Sequence, residues 1–174
     1  MSRQNKLETL FAEHGRFVYR VARRLGAPTR DVEDITQEVF VVAYRKLEDF
    51  DGVSPRGWLF RITARVTADY RKRASNRHED LAAPLPDAGA EFVDDAVAQA
   101  QLRQALDAAL LLLKPAEREV FVLYQLEKLP MRECALLIGC PEQTAYSRLK
   151  SGRQKVRRHL SRHLNIATTL QEVS

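Results

Sequence analysis

The chain predicts an all-α fold, two small helical domains joined by a flexible linker, the C-terminal one carrying a helix-turn-helix. Three observations lead there. Apolar residues recur at intervals of three and four through most of the chain, and no stretch alternates β-branched residues as a half-buried strand would. Only 7 Gly and 7 Pro punctuate 174 residues, too few for the turns of a β-sandwich or barrel. Charge is segregated, with two basic stretches flanking an acidic one.

Leu7, Leu10, Phe11, Phe17, Val18, Val21 and Leu25 predict a first helix over 7–25. Gly26-Ala27-Pro28-Thr29 ends it and starts a second helix. Asp31, Glu33 and Asp34 in that first turn complement the partial positive charge of a helix N-terminus. Val32, Ile35, Val39, Val42 or Ala43, and Leu47 mark its buried stripe. A turn-rich loop from Asp49 through Phe50, Asp51 and Gly52 reaches Pro55 and Gly57. The third helix points Trp58, Leu59, Ile62 and Val66 inward and Arg61, Arg65 and Arg71 toward water or a polyanion.

Residues 74–93, with Pro84, Pro86 and Gly89 and no sustained periodicity, read as a linker. A helix follows from near Asp94 through Leu113, and Pro115 opens another at its tolerated first turn, running to about Leu126. Pro130 to Ile138 reads as a short helix, Gly139-Cys140-Pro141 as a tight turn, and Glu142 to about Leu160 as a longer helix. That order is a helix-turn-helix. Ala145, Leu149, Val156 and Leu160 form the buried stripe of the last helix, and Gln143, Tyr146, Ser147, Lys150 and Arg153 its opposite face. The expected division is 1–73 for the first domain, 74–93 for the acidic linker, 94–164 for the second domain, and 165–174 for a tail polar enough to be disordered.

The net charge of +5 is mild evidence for a polyanionic partner, and its distribution is stronger evidence. Residues 56–73 carry a net +5 and 142–163 a net +6, whereas 74–100 carry −5. Two nucleic-acid-facing modules on a tether fit that pattern. No apolar run suits a signal peptide or a membrane span, and two cysteines are too few to staple a secreted fold, so the cytoplasm is the expected compartment. Cys134 and Cys140 read as small buried thiols. His14, His78, His159 and His163 form no constellation, and no P-loop, GxSxG or CxxC is present. The chain therefore reads as a binding protein and not an enzyme, with no catalytic residue, metal or cofactor expected.

Two stretches carry a family resemblance. Asp31-Val32-Glu33-Asp34-Ile35-Thr36-Gln37-Glu38-Val39-Phe40 resembles the acidic helix with which sigma factors grip the clamp helices of the polymerase largest subunit. Trp58-Leu59-Phe60-Arg61-Ile62 and Asp69-Tyr70-Arg71-Lys72-Arg73 are similar to the minus-ten helix of that family. Lys114-Pro115-Ala116-Glu117-Arg118-Glu119-Val120-Phe121, continuing through Thr144-Ala145-Tyr146-Ser147-Arg148-Leu149, is similar to the domain that reads the minus-thirty-five element. Their order, and the degenerate stretch between them, resemble the extracytoplasmic-function subfamily. Three positions depart from its pattern. Lys128-Leu129-Pro130 stands where a Gly-Ser or Gly-Thr pair is usual, Tyr146 replaces a Lys, and Arg65 stands where an Asn is common.

The resemblance implies a protein that binds core RNA polymerase and directs promoter recognition, DNA melting and transcription initiation. It implies core RNA polymerase and promoter DNA as partners; many members are also held inactive by an anti-sigma factor, though nothing in the sequence identifies one here, and without a long apolar run no membrane insertion is expected. Asp34, Gln37, Glu38 and Phe40 would meet the polymerase. Phe50, Arg61, Arg65, Asp69, Arg71 and Lys72 would meet the minus-ten element. Phe50 offers a π surface to an unstacked base and the cations offer charge to phosphates, whereas Trp58 sits on the apolar stripe. Asp69 either accepts from a base amino group or pairs with a neighbouring Arg. Gln143, Thr144, Tyr146, Ser147, Arg148, Lys150 and Arg153 would meet the minus-thirty-five element. Gln143 and Arg148 have the chemistry to read adenine and guanine, although Arg148 is equally suited to a phosphate, and Lys155 and Arg157 add to the phosphate contacts. The alternative, a stand-alone helix-turn-helix regulator, explains the second domain equally well. It leaves the acidic helix and the Trp58–Arg73 helix unexplained.

Overall fold

The computed structural model describes the backbone of residues 2–76 and 95–172 and the side chains of 2–76 and 100–162. Among these residues all regular structure is helical, and the chain divides into two compact units, residues 1–82 and 83–174. The expected linker lies outside the described residues except for Ala74–Asn76, which continue a helix.

In the first unit, α1 (Arg3–Arg24), α2 (Val32–Arg45) and α3 (Pro55–Asn76) pack against one another in all three pairings. Helix α1 begins four residues earlier than its apolar period suggests because Ser2 caps it, its hydroxyl accepting from the Asn5 amide at 3.2 Å. Ser54 does the same for α3, accepting from the Gly57 amide at 3.2 Å, with Pro55 at the first helical position. The core joins Val18, Val21 and Ala22 of α1, Val32, Ile35, Val39 and Ala43 of α2, and Leu59, Phe60 and Thr63 of α3. Burying each large apolar side chain contributes roughly 1.5–3 kcal/mol. Thr36 and Thr63 are buried without orphaned hydroxyls, since each donates to the carbonyl four residues back at 2.7 Å.

In the second unit, α4 (Asp95–Leu111), α5 (Pro115–Val120) and α6 (Met131–Ile138) all pack on α7 (Glu142–Glu172). Helix α5 continues as a π-turn, Phe121–Leu126, closed by the Glu127 amide donating to the Val122 carbonyl at 2.9 Å. Gly152 is buried in the middle of α7, where a Cβ would meet Leu113 and Phe121 at 3.6 Å, an ordinary van der Waals contact.

Four elements differ from expectation. Helix α4 stops at Leu111, because Arg118 takes the carbonyls of Leu110, Leu111 and Leu113 at 2.7, 3.1 and 3.1 Å. Pro130 is the N-cap of α6 and not part of its first turn, with extended backbone and its carbonyl accepting from the Cys134 amide at 3.0 Å. The stretch 115–126 is helical throughout but widens to π geometry over its second half. Helix α7 runs twelve residues beyond Leu160, taking in 165–172, which were expected as a disordered tail.

Lys128 has φ of 60°, in the left-handed region, and is the positive-φ residue other than glycine among the described residues. That conformation costs a non-glycine residue roughly 1–2 kcal/mol. Lys128→Gly is therefore expected to stabilise the second unit by about 0.5–1 kcal/mol after glycine's larger unfolded-state entropy is counted, and Lys128→Val to destabilise it. Urea denaturation of the three proteins checks the order. Arg118→Ala removes the donor to three carbonyls and is expected to cost roughly 3–5 kcal/mol by the same measurement. Arg118→Lys should restore little of it, because an ammonium cannot span the fork.

Candidate functional site

Two surfaces of the first unit and one of the second gather the chemistry. Helix α2 buries Val32, Ile35, Thr36, Val39, Phe40 and Ala43, which leaves Glu33, Asp34, Gln37 and Glu38 on its exposed crest. Phe40 thus leaves the expected docking set: it is 5% exposed, with its ring packed edge-on against Phe11 at 4.9 Å. The crest is flanked by two grooves. On the α1 side lies an apolar one of about 600 Å³, floored by Phe11, Ala12, Gly15 and Tyr19 and edged by Arg16, Arg20, Glu33 and Gln37. Phe11 is half exposed there.

On the α3 side an open groove of about 960 Å³ runs between α2 and α3. Trp58, Arg61, Ile62, Arg65, Val66, Asp69, Lys72 and Arg73 line it from α3, and Glu38, Val42, Lys46 and Asp49 from α2 and the turn after it. The structure thus brings together Arg61, Arg65, Asp69 and Lys72, whose spacing of four, four and three places them on one face. No ion pair involves Asp69 among the described residues, so its pairing with an Arg is not what the structure shows. Phe50 is not among the groove's lining residues; it is half-buried and stacked on Trp58, which is, at 4.8 Å with 27° between the rings. Trp58 is accordingly both packed and groove-facing. Arg71 is turned elsewhere. It is half-buried and donates to the Leu25 carbonyl at 3.2 Å, tying the end of α3 to the end of α1.

Sequence reasoning missed Arg73, which crosses the groove to Glu38 at 3.5 Å, and Lys46. Reading the 58, 61, 65, 69 and 72 stripe as a continuous face would have included Arg73, its next neighbour. Both partners of the Glu38–Arg73 pair are about half exposed, so the pair contributes at most about 1 kcal/mol.

In the second unit, Gly139 takes φ of 70° and turns α6 into α7. Ala145, Leu149, Gly152 and Val156 form the buried stripe of α7, which leaves Gln143, Tyr146, Ser147 and Lys150 exposed on the opposite face. Ser147 donates to the Gln143 carbonyl at 3.0 Å, Thr144 is half-buried, and Arg153 is exposed and hydrogen-bonded to Gln125. Arg148 is half-buried on the flank, where its charge acts on Glu119. Lys155 is withdrawn from the expected phosphate contacts, because its ammonium pairs with Glu117 at 2.7 Å. Glu117 is 8% exposed and also accepts from the Ser151 hydroxyl at 2.8 Å and the Lys114 amide at 3.0 Å. Cys134 is a buried thiol whose pKa is pushed up to about 11 by burial, with the Glu133 charge adding to it, and Cys140 is half-buried and unbridged. Among the described residues no group of three or more His, Cys, Asp or Glu side chains could hold a metal ion, and no helix is long and apolar enough to cross a membrane.

Residues 10–77 match Sigma-70 region 2 and residues 103–162 match Sigma-70 region 4. The sigma factor CnrH of Cupriavidus metallidurans is 32% identical over 163 residues, 88% of this chain and 85% of that one. The ECF sigma factor SigE of Mycolicibacterium smegmatis is 34% identical over 90% of this chain. The chain belongs to the extracytoplasmic-function sigma factors. It spans 62% of the SigE protein's length. The structure of CnrH in complex with the cytosolic domain of CnrY matches this sigma factor with a TM-score of 0.66 and 29% identity, over 91% of this chain and 89% of that one. The Bartonella quintana RpoE structure, at 20% identity and a TM-score of 0.71, shares the fold over 92% of this chain and 98% of that one.

Burial by itself would raise the Glu117 pKa, but hydrogen bonds from Lys155, Ser151 and the Lys114 amide, with the Lys155 charge, hold it below the ordinary glutamate value. Its contribution to stability is therefore present above the ordinary value and lost as the pH falls through the depressed one. Half-buried Glu119 acts in the opposite sense, since burial raises its pKa despite the nearby charges of Arg148 and Arg118. The sigma factor should lose stability on acidification below the ordinary carboxylate range, and Glu117→Gln should flatten that acid limb. Urea midpoints measured against pH for both proteins check this.

Proposed function

We propose that this sigma factor binds core RNA polymerase along the α2 crest, takes the minus-ten element in the α2–α3 groove, and reads the minus-thirty-five element with the exposed face of α7. The α2 crest carries the proposal. Glu33, Asp34 and Gln37 are exposed and have no ion-pair partner among the described residues, and two of them edge an apolar groove. Uncompensated carboxylates beside exposed apolar surface suit a basic protein partner that also buries a hydrophobic side chain. A regulator that only binds DNA has no use for such a surface. CnrH is bound in its structure by the cytosolic domain of CnrY, and a protein partner that restrains the free sigma factor is part of the proposal.

Promoter DNA would meet two kinds of contact. Arg61, Arg65 and Lys72 supply charge to phosphates on the groove wall, and the Phe50–Trp58 stack supplies a flat apolar face. Asp69, exposed and carrying no ion pair among the described residues, is available as an acceptor for a base amino group. On α7, Gln143 and Tyr146 lie in the first two turns, where a recognition helix meets base edges, and Lys150 a turn later, where it meets phosphate. The sigma factor contributes binding and strand positioning but no catalysis, and it acts in the cytoplasm with the polymerase.

Multi-round transcription with core polymerase, supercoiled genomic DNA and the purified chain tests this reading. Discrete new RNA starts that share two upstream motifs are the expected result, and their absence would overturn it. Asp34→Ala combined with Gln37→Ala should weaken core binding by at least about tenfold, the effect of losing one good interface contact. Phe40→Leu, a change in the core, should leave core affinity within about twofold if the variant is folded.

A further inference from the structure

The cations of α7 divide by what they touch. Lys155 is neutralised by Glu117, and Arg148 lies near Glu119. Arg153 is different, because its partner is a neutral amide. The Gln125 side-chain oxygen accepts from Arg153 Nη2 at 2.7 Å and from Nε at 3.1 Å. The ring of Tyr124 lies under the same guanidinium, 5.7 Å from its carbon to the ring centroid. Among the described residues no carboxylate pairs with Arg153.

We propose that Gln125 is a positioning residue for DNA binding, holding the Arg153 guanidinium in one orientation, uncancelled in charge, for a DNA phosphate. The inference rests on the reading that α7 faces DNA. Arginine offers its N–H donors in a planar fork. Gln125 occupies the edge formed by Nε and Nη2, which leaves the edge formed by Nη1 and Nη2 for an anion. Arg153 extends a stripe of exposed residues, Tyr146, Lys150, Arg153 and Arg157, spaced four, three and four along α7. A long side chain normally loses rotamer freedom on capture of a phosphate, and ordering it beforehand removes part of that cost.

The π-turn explains how residues on another helix come to do this. Phe121, Val122 and Leu123 remain buried, while the widened turn brings Tyr124 and Gln125 to the half-buried edge beside Arg153. π-turns inside helices frequently mark functional positions. Gln125 also has the right acidity for the task. A glutamate there would keep the geometry and cancel the charge, as Glu117 does for Lys155.

The test is binding of holoenzyme, reconstituted from core polymerase and the full chain, to a duplex carrying the upstream motif shared by the mapped starts, measured across a salt series. Gln125→Ala should weaken binding about two- to fivefold with the salt slope unchanged, as for lost ordering without lost charge. Gln125→Glu should weaken it more and lower the slope by about 0.9, the value of one phosphate contact. In an Arg153→Ala background Gln125→Ala should change nothing further, a result that a purely structural role for Gln125 would not give. Thermal unfolding confirms that each variant is folded, and Lys150→Ala, also on the stripe, serves as control. If Lys150→Ala lowers the slope and Gln125→Glu does not, the inference is overturned while the DNA-facing role of α7 stands. If neither variant alters binding, both fall together.

Discussion

The seat of the recognition helix depends on two adjacent, buried, oppositely charged residues at the start of α5. Glu117 gathers the Lys114 amide, the Ser151 hydroxyl and the Lys155 ammonium, so one carboxylate joins the start of α5 to the middle of α7. Arg118 faces the other way and closes the carbonyl end of α4. Removing either charge from water costs several kcal/mol, and only a full set of partners offsets that. A leucine pair would bury as well and pack as tightly. It would not specify which carbonyls and which hydroxyl must meet, and so would not set the axis of α7 as closely. The buried charges are better understood as fixing geometry than as adding stability.

The first unit solves the same problem with little buried charge. Its core is aliphatic and aromatic, and of its three interior threonines Thr36 and Thr63 donate within their own helices, whereas the buried Thr67 hydroxyl has no partner among the described residues. Polar contacts between helices lie at the edges, such as Arg71 on the Leu25 carbonyl and Arg73 on Glu38. The difference has a consequence for function. Apolar packing holds α2 and α3 apart at their exposed edges, and the groove between them stays open and polar. Of the side chains that line it, Glu38 and Arg73 pair across it, while Arg61, Arg65 and Asp69 form no ion pair among the described residues.

Much of this was legible in the amino-acid order because period alone carries it. The stripes of α2, α3 and α7 follow from apolar spacing, and the Gly139 turn follows from one residue type. What was not legible follows equally clear rules. Phe40 was placed on the surface by its position in a motif, yet its spacing from Val32, Thr36 and Ala43 puts it on the buried face. Arg71 and Lys155 look like phosphate ligands in a basic run, but their partners, the Leu25 carbonyl and Glu117, are 46 and 38 residues away. The π-turn has no compositional signature, since Phe121 to Leu126 would suit an α-helix as well. The helix expected to end at about Leu160 continues through 165–172, the stretch expected as a tail, and no Gly or Pro stands after Leu160 to break it.

Net charge therefore overstates the DNA-facing charge of such a protein, and the correction can be read from α5. Along that helix and its π-turn a carboxylate stands beside one cation of α7 and an amide beside another. The Glu117 oxygens and the Gln125 oxygen accept comparable hydrogen bonds, at 2.7 to 3.1 Å, so both order a long basic side chain. They differ in what is left over. Lys155 with Glu117 presents almost no net charge to a phosphate, and Arg153 with Gln125 presents a whole one. A substitution between Glu and Gln, which changes neither shape nor reach, is enough to move a cation from scaffold to interface. Counting basic residues on a recognition helix is thus the wrong sum, and the residues of the supporting helix decide which of them count.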